Sequence, residues 1–136
     1  MSLLDSGNYG SDKPQTTLDE IMSGIGPDLD KVTVATNHVL VGIWMRPDKT
    51  KGGVLLTQKT RDEDKWQGKT GFVIKKGPIA FKSDDRNDFG DFSPAFGECV
   101  LYGVNDGLSF DVNGVHCRLL QDVHVRAVVP NPEMIW

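Results

Sequence analysis

Asn105-Asp106-Gly107-Leu108-Ser109-Phe110-Asp111-Val112-Asn113-Gly114-Val115 is the stretch that decides the fold class. Its Asp-Gly and Asn-Gly pairs favour tight hairpin turns, in which both central positions take positive φ. Between them Leu108, Phe110 and Val112 alternate with Ser109 and Asp111, which predicts a strand with one face turned inward. Residues 115–120 are expected to return alongside it. Downstream, Val123, Val125 and Ala127 alternate with His124, Arg126 and Val128 as a last strand ended by Pro130, and His124 is expected to face outward. Upstream, Val32-Thr33-Val34, Val39-Leu40-Val41-Gly42-Ile43-Trp44 and Phe72-Val73-Ile74 supply the β-branched and aromatic residues of further strands. Short strands with turn signals and almost no helix predict an all-β chain that forms a small closed or partly closed barrel.

The composition fits one such domain: 136 residues, 38% apolar and 25% charged. No apolar run approaches the roughly 18 residues of a membrane span. Met1-Ser2-Leu3-Leu4-Asp5 lacks the basic start and apolar stretch of a secretory signal, so a soluble protein made in a cytoplasm is expected. A net charge of −4 argues against a grip on nucleic acid. Lys49, Lys51, Lys59, Arg61, Lys65 and Lys69 are interspersed with Asp48, Asp62, Glu63 and Asp64, the pattern of a solvated mixed-charge loop.

Residues 1–30, rich in Gly, Ser, Asp and Pro, read as an N-terminal arm ahead of a barrel at 31–130 and a tail at 131–136. The arm carries one short helix over about residues 17–24. Thr17-Leu18-Asp19-Glu20 fits a capping box, and Leu18, Ile21, Met22 and Ile25 fall at helical spacing before Gly24, Gly26 and Pro27 stop the helix. So short a helix is marginal alone in water and needs a surface, either its own barrel or a partner. Within the barrel, long loops are expected over about 45–70 and 82–95.

Nothing in the chain assembles into a recognisable catalytic or cofactor motif. Cys99 and Cys117 are too few for a disulfide framework or a zinc site and read as core thiols. His116 and Cys117, adjacent in a strand, point to opposite faces and make poor joint ligands. The acidic run Asp84-Asp85-Arg86-Asn87-Asp88 lacks the spacing of a calcium loop and reads as solvated. The Gly-rich points lack a phosphate-loop lysine. A binding protein without cofactor, metal or enzymatic activity is expected.

Three segments in order carry a family resemblance: Asn37-His38-Val39-Leu40-Val41, then Gly52-Gly53-Val54-Leu55-Leu56, then Gly71-Phe72-Val73-Ile74-Lys75-Lys76-Gly77. With Phe96-Gly97-Glu98-Cys99-Val100-Leu101-Tyr102 and residues 123–129, their order and spacing resemble the GroES co-chaperonin family. The wording of residues 59–68 and 77–81 looks most like its tailed-bacteriophage members. The resemblance implies a GroES-like β-barrel. It gives Val54, Leu55 and Leu56 the role of a hook that presses into an apolar groove of a host chaperonin ring, with Gly52 and Gly53 freeing the backbone to present it. Read without the family, the same triplet could equally start a strand of the barrel. Trp66 is either a lid on the core or a second partner anchor. Family rings are built by pairing first and last strands, and the extensions at both ends of this chain depart from that plan.

Two functions are therefore expected. One is a virion head decoration or cement protein, which grips the major capsid protein and copies of itself with the arm residues Leu18, Ile21, Met22 and Ile25, the loop and Trp136. The other is a phage co-chaperonin that caps the host chaperonin ring and assists capsid-protein folding. The first places the protein in the virion after synthesis in the host cytoplasm.

Overall fold

In the computed structural model the described residues are 14–46 and 69–135. Thr17 starts the first element as the spacing predicts: in extended conformation, it accepts the Glu20 N–H with its side chain and opens helix α1, Leu18–Ile25. The second half of the expected box lands one residue earlier. Glu20 accepts the backbone N–H of Thr16 at 3.0 Å and also its hydroxyl. Gly26 ends α1 at φ 74, and a 3-10 turn over Gly26–Lys31 follows.

Six strands follow: β1 His38–Ile43, β2 Thr70–Lys76, β3 Cys99–Leu101, β4 Leu108–Val112, β5 Val115–Gln121 and β6 Ala127–Val129. They form one sheet in the order β4-β5-β1-β2-β3-β6, and all its pairings are antiparallel. The all-β expectation is met, with one short helix. What the described strands form is a sheet with β4 and β6 at its edges.

Period-two alternation in β1 separates two cores. Leu40 joins Ile21, Ile25, Leu29, Val34, Ile74, Val115 and Cys117 beneath α1. Val39 and Val41 join Val73, Val100, Tyr102, Leu120, Val125 and Phe81 on the other side. Because both faces are covered, β1 is buried along nearly its whole length. The N-terminal helix is thus part of the domain's own packing, not an arm lying apart from it. Gly42 makes this possible: a Cβ there would lie 2.6 Å from Ile21 Cγ2, so only a bare backbone lets α1 sit this low.

Several expected strands differ. Residues 32–34 stay outside the sheet, and Val34 serves as a buried plug under α1. The Asn113-Gly114 hairpin forms as predicted, with φ of 51 and 82 joining β4 to β5. At residues 105–107 only Gly107 takes positive φ, at 77. That stretch links β3 to β4, which are not neighbours in the sheet, so no tight hairpin forms there. The expected last strand is cut to Ala127–Val129 because Asp122–His124 winds into a 3-10 turn. Val125 is buried but Val123 is 36% exposed, and His124 is half-buried with Nδ1 accepting the Gln121 N–H.

Candidate functional site

Two places combine accessible surface with unusual chemistry, and both arise where strands end. The first lies along edge strand β6. Phe72 of β2, Gly97, the exposed Glu98, Cys99 of β3, Val128, Val129 and Pro130 line a groove of about 410 Å³. Its entrance turn has a simple local cause. In Ala95-Phe96-Gly97-Glu98 the Glu98 N–H donates to the Ala95 carbonyl and Gly97 sits at φ 87, the positive angle a type II turn needs at its third residue. Phe96, at the second position of that turn, is 57% exposed, and Val128 of the lining is 38% exposed. Leu18 of α1 borders the site: a Cβ on Gly97 would lie 3.1 Å from its Cδ2. Among the described strands β6 pairs with β3 alone, so its outer backbone row has no strand partner there.

The second place is a polar junction at Asp122, whose side chain is 3% exposed. One carboxylate oxygen accepts from Asn37 Nδ2 at 3.0 Å, and the other accepts the Phe81 N–H at 3.0 Å. Phe81 has φ 62, costly for a bulky residue, and this bond helps hold it there. Phe89 and Phe92 pack edge-on to Phe81 at 5.7 and 5.8 Å between ring centres. They anchor a loop whose polar residues otherwise bond one another: Asp84 accepts the Asn87 and Arg86 N–H groups, which hold its carboxyl below the usual range. Between this loop and Asp122 lies a cleft of about 240 Å³.

The cysteines behave as core groups. Burial pushes the Cys117 thiol up to about 12, and burial raises Cys99 as well, whose sulfur lies 3.0 Å from Thr70 Oγ1. Neither supplies a thiolate near neutral pH. His116, 3% exposed, contacts Asp111 across the β4–β5 pair at 2.6 Å. Cys117 next to it faces the opposite core, as the alternation predicts. Among the described residues no group of three or more His, Cys, Asp or Glu could hold a metal ion, and no helix is long and apolar enough to cross a membrane.

The residues singled out from sequence fare unequally. Ile21 and Ile25 are 0% and 2% exposed inside the α1 core, which corrects their assignment to a partner surface: their apolar area is already spent on the chain's own sheet. Leu18 and Met22 are half-buried against the same core. Gly52, Gly53, Val54, Leu55, Leu56, Trp66 and Trp136 lie outside the described residues. Sequence reasoning did not single out Phe96 as exposed, although Phe-Gly at a turn was a usable signal. It also missed Gln15, which is 1% exposed. Its amide donates to the Ile43 and His116 carbonyls at 2.7 and 3.0 Å and accepts the His116 N–H at 2.8 Å, replacing a ladder rung where β1 and β5 part. No local pattern foretells that. No protein-family model matches the chain, and no curated protein matches it either.

Proposed function

We propose that this is a non-enzymatic phage structural protein, a head decoration (cement) protein with a GroES-like barrel that binds the major capsid protein through the groove beside β6. The observation that carries this reading is the groove itself. Its lining includes a 38% exposed Val128, a 57% exposed Phe96 precedes its lining residue Gly97 in the turn, and the edge beside it has no partner among the described strands, a largely apolar surface suited to burial against a neighbour. Barrel curvature has support from Arg126, just before β6, whose Nη2 lies 4.0 Å from the Asp106 carboxylate just before β4. That contact brings the sequence leading into one edge strand near the sequence leading into the other. The three-residue length of β6 and the Pro130 after it blunt the edge against indiscriminate pairing, so the side chains of the groove would set the choice of partner.

The test is a Phe96→Asp variant added to phage particles that lack the protein, with bound copies counted after sedimentation. A carboxylate in an apolar contact is costly to desolvate, so occupancy should fall roughly tenfold or more. The melting temperature should stay close to that of the parent, because Phe96 is a surface residue. Undiminished occupancy would remove the groove from the interface. Failure of the parent protein itself to bind particles, with retention on an ATP-loaded chaperonin ring, would replace the decoration role by the co-chaperonin role.

A further inference from the structure

Asn113-Gly114 is the one Asn-Gly pair in the chain, and it occupies the exposed turn of the β4–β5 hairpin. Asparagine is a thermally labile residue. Followed by glycine, it presents its side-chain carbonyl carbon to a backbone nitrogen that no neighbouring Cβ shields. In the folded chain this amide also fastens two elements together. Asn113 Nδ2 donates to the carbonyl of Ile25, the last residue of α1, at 2.8 Å, and to Asp28 Oδ2 at 3.0 Å. The first of these bonds adds a side-chain donor to the carbonyl at the junction of α1 and the 3-10 turn that follows it.

We propose that Asn113 is a site of spontaneous deamidation, and that its conversion to a carboxylate unfastens the end of α1 from the β4–β5 hairpin. The Gly114 backbone nitrogen attacks Cγ of Asn113 and gives up its proton. The Cγ–Nδ2 bond breaks, and ammonia leaves to give a cyclic imide. Water then opens the ring at either carbonyl, yielding aspartate or isoaspartate. The product has no N–H to offer. It turns a carboxylate toward the Ile25 carbonyl and toward Asp28, whose ionised form now draws its largest support from this same amide and its next from Lys31. Acceptor facing acceptor at hydrogen-bond distance is repulsive, so the 3-10 turn over Gly26–Lys31 loses its tie to the hairpin. Because both donor hydrogens are held in the folded state, ring closure requires the latch to open first. The reaction is then gated by local unfolding at this corner.

The experiment incubates the full-length protein in mildly alkaline buffer at physiological temperature and maps aspartate and isoaspartate by peptide mass spectrometry. Conversion should appear at position 113 ahead of Asn87 and Asn105, and several-fold faster in Asp28→Ala, which removes one of the two acceptors. An Asn113→Asp variant should exchange its backbone amides over residues 26–31 faster than the parent. An intact Asn113 while other asparagines convert would overturn the modification site. A rate unchanged by Asp28→Ala, or parental exchange in Asn113→Asp, would overturn the latch.

Discussion

Asp122 illustrates how one side chain can outrank a strand pattern. The alternation from Val123 to Val128 is genuine, yet the chain there winds into a 3-10 turn, because a buried carboxylate must be paired before anything else is settled. Its partners, Asn37 and Phe81, lie 85 and 41 residues away in sequence, so no local reading could find them. Asp122→Ala would leave the buried Phe81 N–H without an acceptor, at a cost of about 1–3 kcal/mol, and the half-buried Asn37 amide with less to lose, and should lower the melting temperature by roughly 5–10 °C. Asp122→Asn keeps an acceptor oxygen and should cost less. A loss under about 0.5 kcal/mol for the alanine variant, read by urea unfolding, would mean that water replaces the carboxylate. Glu20 gives a pH counterpart. The Thr16 side chain, foremost, holds its carboxyl below the ordinary value of 4.5. Its contribution to α1 is therefore complete above that value and is lost as the pH falls through the depressed folded one. Helix signal followed from pH 6 downward should stay constant above the ordinary value of 4.5 and fray only as the pH falls below it, and Glu20→Gln should flatten that dependence.

At the scale of elements, α1 was legible and its destination was not. Capping residues and apolar spacing place a helix at 17–24, and it forms over Leu18–Ile25. Where it docks depends on a hole in β1: Gly42 leaves space that Ile21 fills, and a missing side chain carries no periodicity. Ile21→Ala should cost about 2–5 kcal/mol and Gly42→Ala about 1–3 kcal/mol, the first by a cavity and the second by overpacking. Combined, the new methyl partly fills the space vacated by Ile21. The double variant should therefore be more stable than the sum of the singles predicts, by about 1 kcal/mol in a denaturation cycle. Strict additivity would contradict this close fit. The Asn113-Gly114 hairpin was legible because its turn chemistry is local, whereas residues 32–34 have strand-forming side chains but pair with none of the described strands.

For the molecule as a whole, an all-β chain of short antiparallel strands could be read from turns and alternation. The order β4-β5-β1-β2-β3-β6 could not, because β1 pairs with a strand more than seventy residues downstream in His38↔Gln121 and its neighbours. The candidate surface divides the same way. Sequence pointed to the apolar helix face, which the chain buries for itself, and passed over Val128, whose exposure depends on which strand lies at the edge, and Phe96, which the turn before β3 leaves exposed. The central claim is that α1 is docked within the chain while the β6 groove is left for a partner. Amide hydrogen exchange on the free protein and on protein bound to phage particles tests it most directly. The account predicts that α1 is equally protected in both states, and that new protection on binding is confined to residues 96–99 and 127–129. Protection of α1 that arises only on particles, with the groove unchanged, would contradict it.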